Sequence, residues 1–329
     1  MKKDMKKVLS GAAGAALLVS GAAQTAVAET GYDVAVKDAS AAAFNKVANV
    51  EGAFAFDQDV VTPADEVFSI FGTVVTGMCA KPDFAIGTEK TDYYVNVGGK
   101  IAKAYTVDLK QKKAESRILL CSCATGAATA NAQITGVRLS DVLQLAEMDK
   151  DVNTVTVRTA DGYGLKLPLQ YALDKEAMIV YQVGGRDIPS GTQFWVPETV
   201  AKYFTRDVVD IELTAEAEAP EVEQRDEALR AEVAIMNTVE SKTLKAGETV
   251  TFEGYADVCG DAIAAVEFSL DGGETWTSYE TANATAEKWV YWHFSYTPET
   301  AGAYQLSVRA RTTDGNVSPM AANVEFSVM

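Results

Sequence analysis

Two cysteines separated by one residue stand in the stretch RILLCSCATGAA, where Cys121 and Cys123 follow an apolar run and precede a loop of small residues. A thiolate is a good ligand for a soft metal centre, so one of the two could hold a metal cofactor. The pair could instead stay as ordinary thiols, or close into a strained and labile bridge. The residue types alone leave both possibilities open.

Composition excludes most other metal and nucleophile chemistries. The chain of 329 residues has one histidine, His293, and four cysteines, the two above with Cys79 and Cys259. A histidine metal cage, a Ser-His-Asp triad and a Cys-His dyad are nearly excluded by that count. The formal net charge of -17 disfavours nucleic acid as a partner, because an acidic surface repels phosphate.

The first 28 residues predict an export signal. MKKDMKK is basic, the following VLSGAAGAALLVSGAA is short and apolar, and Ala26-Val27-Ala28 is a small-x-small cleavage site. The segment is too short and too rich in Gly and Ala for a spanning helix, so we predict no membrane span. We therefore expect cleavage near Ala28 and a secreted or cell-envelope location. Lysines without an Arg-Arg pair favour the general secretory route.

A chain of this length suggests about two domains after the signal. We predict an N-terminal arm (29–64), an α+β domain (65–214), a solvated acidic linker (215–234) and an all-β, immunoglobulin-like sandwich (235–329). The first domain has strand patterns in VFSIFGTVVTG, DYYVNVGG, AKAYTVDL, RILLCSC and AMIVYQVGG. The sandwich is predicted from alternating strands about ten residues apart, separated by Gly, Asp and Pro turns.

Two local predictions lie between those strands. The apolar spacing in GVRLSDVLQLAEM predicts a helix over 136–148, with Ser140 as its N-cap. NTVTVRTADGYGLKLPLQYAL predicts a β-hairpin whose turn is ADGYG. Helices and strands mix without a regular βαβ repeat, which favours α+β over a doubly wound sheet.

Longer stretches of the sequence resemble the sulfite oxidase family of molybdopterin enzymes. The most specific stretch is GYADVCGDAIAAVEFSLDGGETWTSYE, followed by WVYWHF and AGAYQLSVRART. NAQITGVRLSDVL and ADGYGLKLPLQYALDKEAMIVYQVGG resemble the family less tightly. The resemblance implies a molybdopterin-binding domain, a C-terminal immunoglobulin-like dimerisation domain, a molybdenum–molybdopterin cofactor and a possible homodimer.

The resemblance also implies candidate site residues. In the family the cofactor thiolate leaves a strand as C-A-G-N; Cys123 matches this better, whereas Cys121 follows the apolar strand more directly, and we prefer Cys123. A protein thiolate there completes the sulfur ligands of molybdenum. Arg186, Lys202 and Arg206 could each meet a pterin phosphate, or each could be a solvated surface residue.

The family's C-A-G-N-x-R motif is CATGAA here, so its Asn and Arg are missing. Arginines clamp tetrahedral anions in sulfite-type enzymes, which makes sulfite itself a doubtful substrate. One hypothesis is an exported oxidoreductase that transfers an oxygen atom on a small oxyanion or an S- or N-oxide. Its electrons would pass to an external protein, because the chain has no haem or iron–sulfur motif. The alternative is a cofactor-free secreted binding or scaffold protein on the same fold.

Overall fold

The computed structural model describes residues 44–68, 93–126, 128–160, 162–188, 191–225, 231–237, 239 and 243–329. The predicted signal segment, Cys79 and most of the strand predicted from VFSIFGTVVTG lie outside the described residues. The chain forms two compact units. We call Val61–Arg225 the inserted unit. The described residues up to Val60, together with those of Asp226–Met329, form the terminal unit.

Strands are the main regular secondary structure of the described residues. Up to residue 225 the strands are β1 (Ala53–Asp57), β2 (Tyr94–Gly99), β3 (Tyr105–Asp108), β4 (Glu115–Ser122), β5 (Thr129–Arg138), β6 (Thr154–Thr159), β7 (Gly164–Pro168), β8 (Met178–Val183), β9 (Arg186–Asp187), β10 (Gln193–Trp195), β11 (Thr205–Arg206) and β12 (Val208–Thr214). After it come β13 (Ala231–Ile235), β14 (Thr243–Leu244), β15 (Val250–Val258), β16 (Ile263–Ser269), β17 (Thr277–Glu280), β18 (Val290–Tyr296), β19 (Gly302–Thr312) and β20 (Ala322–Val328).

Helices are few and short among the described residues. They are α1 (Ala64–Phe68), α2 (Leu139–Val142) and α3 (Leu169–Asp174), with 3-10 turns at Leu109–Gln111 and Ala201–Tyr203. The α+β expectation therefore gave helices a larger share than the structure does. None of the described helices has the length and apolarity needed to cross a bilayer.

The terminal unit is built from two sheets around one apolar core. Their strand orders are β1-β18-β15-β13 and β14-β20-β19-β16-β17. Alternating residues of these strands face each other, and Phe252, Phe268 and Trp292 are fully buried between the sheets. The predicted C-terminal strands are thus observed. An additional strand, β1, comes from the predicted N-terminal arm and pairs antiparallel with β18.

The inserted unit also contains two sheets. One has the order β11-β10-β8-β5-β4, with β9 beside β8, and the other has the order β3-β2-β12-β6-β7. The predicted hairpin is confirmed, because β6 and β7 pair antiparallel with Val155 opposite Leu167. The predicted strands RILLCSC and AMIVYQVGG are also confirmed as β4 and β8.

The helix predicted over 136–148 is wrong in extent. β5 continues through Arg138, and Val137 pairs with Ile179 of β8. Only α2 is helical, and its N-cap is Arg138, which makes no side-chain capping bond, so Ser140 is not the cap. The apolar spacing arose from a strand followed by one helical turn, and the sheet pairing of Val137 overrode helical periodicity.

The stretch GVRLSDVLQLAEM begins with Gly136, and the sheet leaves no room for a side chain at this position. The pairing of β5 with β8 shifts register between Thr135 and Gly136. A Cβ atom on Gly136 would lie 2.2 Å from the carbonyl oxygen of Ile179. Only glycine allows the two backbones to approach so closely, and this close approach holds β5 on the sheet that carries the cysteines.

Candidate functional site

Cys121 lies in the interior of the inserted unit. It sits in β4 opposite Ala130 of β5 and is only 1% exposed. Its side chain belongs to an apolar cluster that also contains Leu119, Ala132 and Met178. Its neighbours therefore resemble those of a small buried hydrophobic residue, a common environment for cysteine.

Cys123 has different surroundings, although it is only two residues away. It follows β4 in a tight turn, where its N–H donates to the carbonyl of Ala128 and its carbonyl accepts from the N–H of Gly126. Its Sγ lies 3.3 Å from the hydroxyl oxygen of Thr125 and is within hydrogen-bonding distance. Cys123 is 2% exposed, and no disulfide joins it to Cys121.

A β-bridge brings the end of β4 beside the segment that contains Lys202. Ser122 forms a parallel bridge with Val200, which directly precedes the 3-10 turn Ala201–Tyr203. Of the three predicted cationic residues, Lys202 is the one that this bridge places near the cysteine turn. Local sequence patterns could not predict this pairing, because the two segments are almost eighty residues apart.

Lys202 is held by groups of the chain itself. Its Nζ forms an ion pair with Glu223 and lies 5.1 Å from the ring centroid of Tyr203. Burial opposes its charge, but the interactions with Glu223 and Tyr203 outweigh burial and raise the pKa of Lys202. Lys202 therefore stays positively charged at this edge of the site.

Tyr163 interacts electrostatically with Lys202 and Tyr203. Burial raises its pKa, Lys202 acts in the opposite direction, and Tyr203 acts in the same direction as burial. The phenol is consequently held in its protonated form. Tyr163 comes from the turn of the β6–β7 hairpin, and the sequence analysis did not single it out as a site residue.

Arg225 is a further residue that the sequence analysis missed. It lies in the segment predicted to be a solvated acidic linker, yet it is 4% exposed. Its Nη2 donates a hydrogen bond to the hydroxyl of Ser122, the residue between the two cysteines. The prediction of full solvation is therefore wrong at Arg225, because a specific buried hydrogen bond overrides the polar character of the segment.

The other two predicted cations are placed elsewhere. Arg186 is exposed, pairs with Asp65 at 3.5 Å and lies 5.7 Å from the ring centroid of Phe68. Arg206 is partly buried in β11, opposite Gln193 of β10. Their assignment to a pterin phosphate stays a prediction.

The chemistry around Cys123 fits an anionic, sulfur-bound cofactor. Thr129 is paired with Ser122, and its buried hydroxyl has no hydrogen-bond partner in the described part of the chain, so a polar group is available there. Lys202 and Arg225 provide positive charge. Among the described residues, no group of three or more His, Cys, Asp or Glu side chains forms a metal cage. A metal at Cys123 would therefore need further ligands from a cofactor.

An open groove of about 410 Å³ lies on the other sheet of the inserted unit. Its polar side chains are largely hydrogen-bonded to one another: Asn96 donates to Asp210 at 2.9 Å, and Thr106 donates to Asn96 at 2.8 Å. Neither Cys121 nor Cys123 lines it. The groove is therefore separate from the cysteine site.

Two family models match this chain. Residues 83–220 match the oxidoreductase molybdopterin binding domain, and residues 224–329 match the Mo-co oxidoreductase dimerisation domain. The first match contains the cysteine turn, Tyr163 and Lys202. Arg225 lies at the start of the second match. The two matches together cover most of the described residues.

Similar proteins include sulfite oxidases of primates. The mitochondrial sulfite oxidase of Homo sapiens is 28% identical over 239 residues, which are 58% of this chain and 43% of that protein. The mitochondrial sulfite oxidase of Macaca fascicularis is 27% identical over 235 residues, again 58% of this chain and 43% of that protein. The chain thus matches less than half the length of these relatives.

The solved structure of the sulfane dehydrogenase SoxCD from Paracoccus pantotrophus has a similar fold. It superposes with a TM-score of 0.60 and 18% sequence identity, and the match covers 88% of this chain and 86% of that chain. At that level of identity the likeness concerns the fold alone. It extends over both units of the chain.

Proposed function

We propose that this chain is an exported enzyme of oxygen-atom transfer. The ground is that it belongs to the sulfite oxidase family of molybdopterin-dependent oxidoreductases. The matched binding domain implies a molybdenum–molybdopterin cofactor. The substrate is a small oxyanion or an S- or N-oxide. In the oxidative direction it gains one oxygen atom from water, and two electrons and two protons are released; reduction reverses this balance.

The observation that supports this proposal best is the placement of Cys123. Its thiol lies just past the end of a buried strand inside the matched domain, within hydrogen-bonding distance of the Thr125 hydroxyl. We assign Cys123 as the protein ligand of the metal and Cys121 as a packing residue. When bound, the cofactor supplies the two-electron redox change.

The other side chains of the site have distinct tasks in this proposal. The Thr125 hydroxyl orients the Cys123 sulfur. Lys202 gives up its ion pair with Glu223 when the cofactor binds and pairs instead with an anionic group of the pterin. Tyr163 stays protonated because burial raises its pKa, and its hydroxyl can donate a hydrogen bond to an oxygen of the substrate.

Further parts of the proposal concern assembly and location. The C-terminal residues match a dimerisation domain, and we propose a homodimer that forms through this sandwich, which we take to be immunoglobulin-like. We also propose that the protein works outside the cytoplasm, after cleavage near Ala28. An external redox protein exchanges electrons with it one at a time, because the sequence lacks C-x-x-C and other haem or cluster motifs.

The matched oxidoreductase domain does not favour the alternative of a cofactor-free scaffold. A direct test purifies the protein from a host that makes molybdopterin and assays it in both directions. Oxidation is followed with sulfite or a sulfur compound and an artificial electron acceptor, and reduction with sulfoxides or N-oxides and a reduced dye. Turnover that is lost in Cys123→Ser supports the proposal. A protein that contains molybdenum but turns over none of these classes would contradict it.

A further inference from the structure

Arg225 is an exception within its segment. Residues 215–225 follow β12 without regular secondary structure, and Arg225 is the one buried residue among them. An arginine is almost never fully buried unless a specific interaction holds it. Here the hydrogen bond from its Nη2 to Ser122 Oγ provides such an interaction. The burial of Arg225 therefore marks an attachment point of this segment.

The attachment point is the residue that directly precedes Cys123. Ser122 is fully buried, is paired with Thr129 of β5 and is bridged to Val200. Side chains alternate along a strand, so Ser122 and Cys121 point to opposite faces of β4. Arg225 thus holds the last residue of β4 from the face opposite Cys121. The orientation of the following turn depends on where that last residue is held.

A second attachment lies two residues earlier. The N–H of Glu223 donates to the Tyr203 hydroxyl at 2.7 Å, and the Glu223 side chain pairs with Lys202. The segment Glu223–Arg225 therefore contacts both sides of the bridge between Ser122 and Val200. It connects Ser122, the residue before Cys123, to Lys202.

We propose that Arg225 is a positioning residue for Cys123. Through Ser122 it fixes the end of β4, and so it orients the thiol that, under the function proposed above, ligates the metal. Its guanidinium is permanently charged, and it brings positive charge to a site whose CATGAA loop has no arginine. The proposal rests on the proposed function for its biological role, but the positioning itself can be measured in protein without cofactor.

The test measures how fast each thiol reacts in the folded, cofactor-free protein. Cys123 is 2% exposed, so iodoacetamide reaches it only after local opening. Wild type, Arg225→Met and Arg225→Lys are labelled under native conditions, and mass spectrometry assigns the label to Cys121, Cys123 or Cys259. Gln224→Met, at the exposed neighbouring position, is the matched control.

Arg225→Met should speed labelling of Cys123 by about tenfold or more, because loss of a charge-assisted hydrogen bond shifts an opening equilibrium by at least that factor. Labelling of Cys259 should not change, which separates local positioning from general destabilisation. Arg225→Lys keeps a charged donor and should restore most of the protection. Gln224→Met should match wild type.

Ser122→Ala removes the acceptor and provides an independent route if Arg225→Met does not fold. In a double-mutant cycle, the Ser122→Ala and Arg225→Met effects on Cys123 labelling should be strongly non-additive. Additive effects, or a folded Arg225→Met whose Cys123 labels at the wild-type rate, would overturn the proposal. Labelling that rises equally at Cys123 and Cys259 would also overturn it.

Molybdenum content separates this proposal from the proposed function. In protein from a molybdopterin-producing host, Arg225→Met should hold less molybdenum than wild type, and Arg225→Lys should hold an intermediate amount. Wild type without molybdenum would refute the proposed function but leave the labelling result standing. Wild type with molybdenum and an Arg225→Met variant with equal content and unchanged labelling would refute the positioning role alone.

Discussion

Cys121 and Cys123 end in different environments although one residue separates them: Cys121 packs in an apolar cluster, and Cys123 lies 3.3 Å from the Thr125 hydroxyl. The difference arises because β4 ends at Ser122, so that Cys123 belongs to the following turn. The sulfur of Cys123 has a hydroxyl within hydrogen-bonding distance, whereas the sulfur of Cys121 lies in an apolar cluster, where a polar group would be costly to bury. The two cysteines should therefore behave differently when each is replaced.

Replacement of Cys121 should affect stability and leave metal binding intact. Cys121→Ser places a hydroxyl among apolar side chains, so the free energy of unfolding should fall by about 1–3 kcal/mol. Urea unfolding measures this change. Cys121→Ala, which buries no polar group, should cost less than the serine variant. A Cys121→Ser protein of wild-type stability would show that the thiol is not packed as described.

Lys202 and Arg186 form a natural comparison, because both were predicted to meet a pterin phosphate. Lys202 lies two residues after Val200, which is bridged to Ser122 next to Cys123, whereas Arg186 is exposed and paired with Asp65. Lys202→Met should weaken cofactor retention about tenfold or more, since a hydrogen bond to a charged group is lost. Arg186→Met should retain the cofactor like wild type. Metal content after prolonged dialysis measures both, and the reverse order would contradict the assignment.

Asp271 should make the terminal unit sensitive to acid. Burial opposes its charge, but hydrogen bonds from Thr275 and Ser269 outweigh burial and lower the pKa of Asp271 to about 2. A lowered pKa contributes stability above the unfolded-state value, near pH 4, and this contribution disappears as pH falls through about 2. Asp271→Asn should therefore cost about 2 kcal/mol near neutral pH and much less near pH 2.

Urea unfolding of wild type and Asp271→Asn across this range measures the effect. Glu274→Gln is the control: Glu274 is largely exposed and pairs with Lys46 at the surface. That variant should change the free energy of unfolding by less than about 1 kcal/mol. A difference between wild type and Asp271→Asn that stays constant from neutral to acid pH would contradict the assigned pKa.

Phe54 should anchor the N-terminal strand to the terminal unit. Its ring stacks on Tyr279 at 5.2 Å and meets Phe268 edge-on at 6.0 Å. Phe54→Ala should lower the free energy of unfolding by about 2 kcal/mol, less than for a fully buried phenylalanine. Ala55→Ser, on the exposed face of β1, should have almost no effect. Equal stabilities of these two variants would show that β1 adds no core packing.

Local pattern predicted the strands better than it predicted the helix. Alternating apolar residues correctly indicated the β6–β7 hairpin, and the apolar run correctly indicated β4. The helical spacing after Gly136 was misleading, because Val137 is paired within a sheet and pairing depends on residues far along the chain. Local sequence patterns do not predict such long-range strand partners.

The sequence predicted the two cysteines of the site but not their surroundings, because the surroundings depend on residues far along the chain. Residue type and family resemblance pointed to Cys121 and Cys123, but only the extent of β4 distinguishes their surroundings. Arg225 stands in an acidic segment with no aromatic residue, which locally indicates solvated chain. Its burial depends on Ser122, more than a hundred residues earlier. Long-range hydrogen bonds of this kind leave no periodic signal in the sequence.

The most direct test of the central claim is the molybdenum-to-protein ratio of three proteins made in a molybdopterin-producing host: wild type, Cys123→Ser and Cys121→Ser. Cys123 as the protein ligand predicts a ratio near one for wild type and for folded Cys121→Ser, and a strongly reduced ratio for Cys123→Ser. A wild-type ratio near zero, or metal lost from Cys121→Ser but retained by Cys123→Ser, would contradict it.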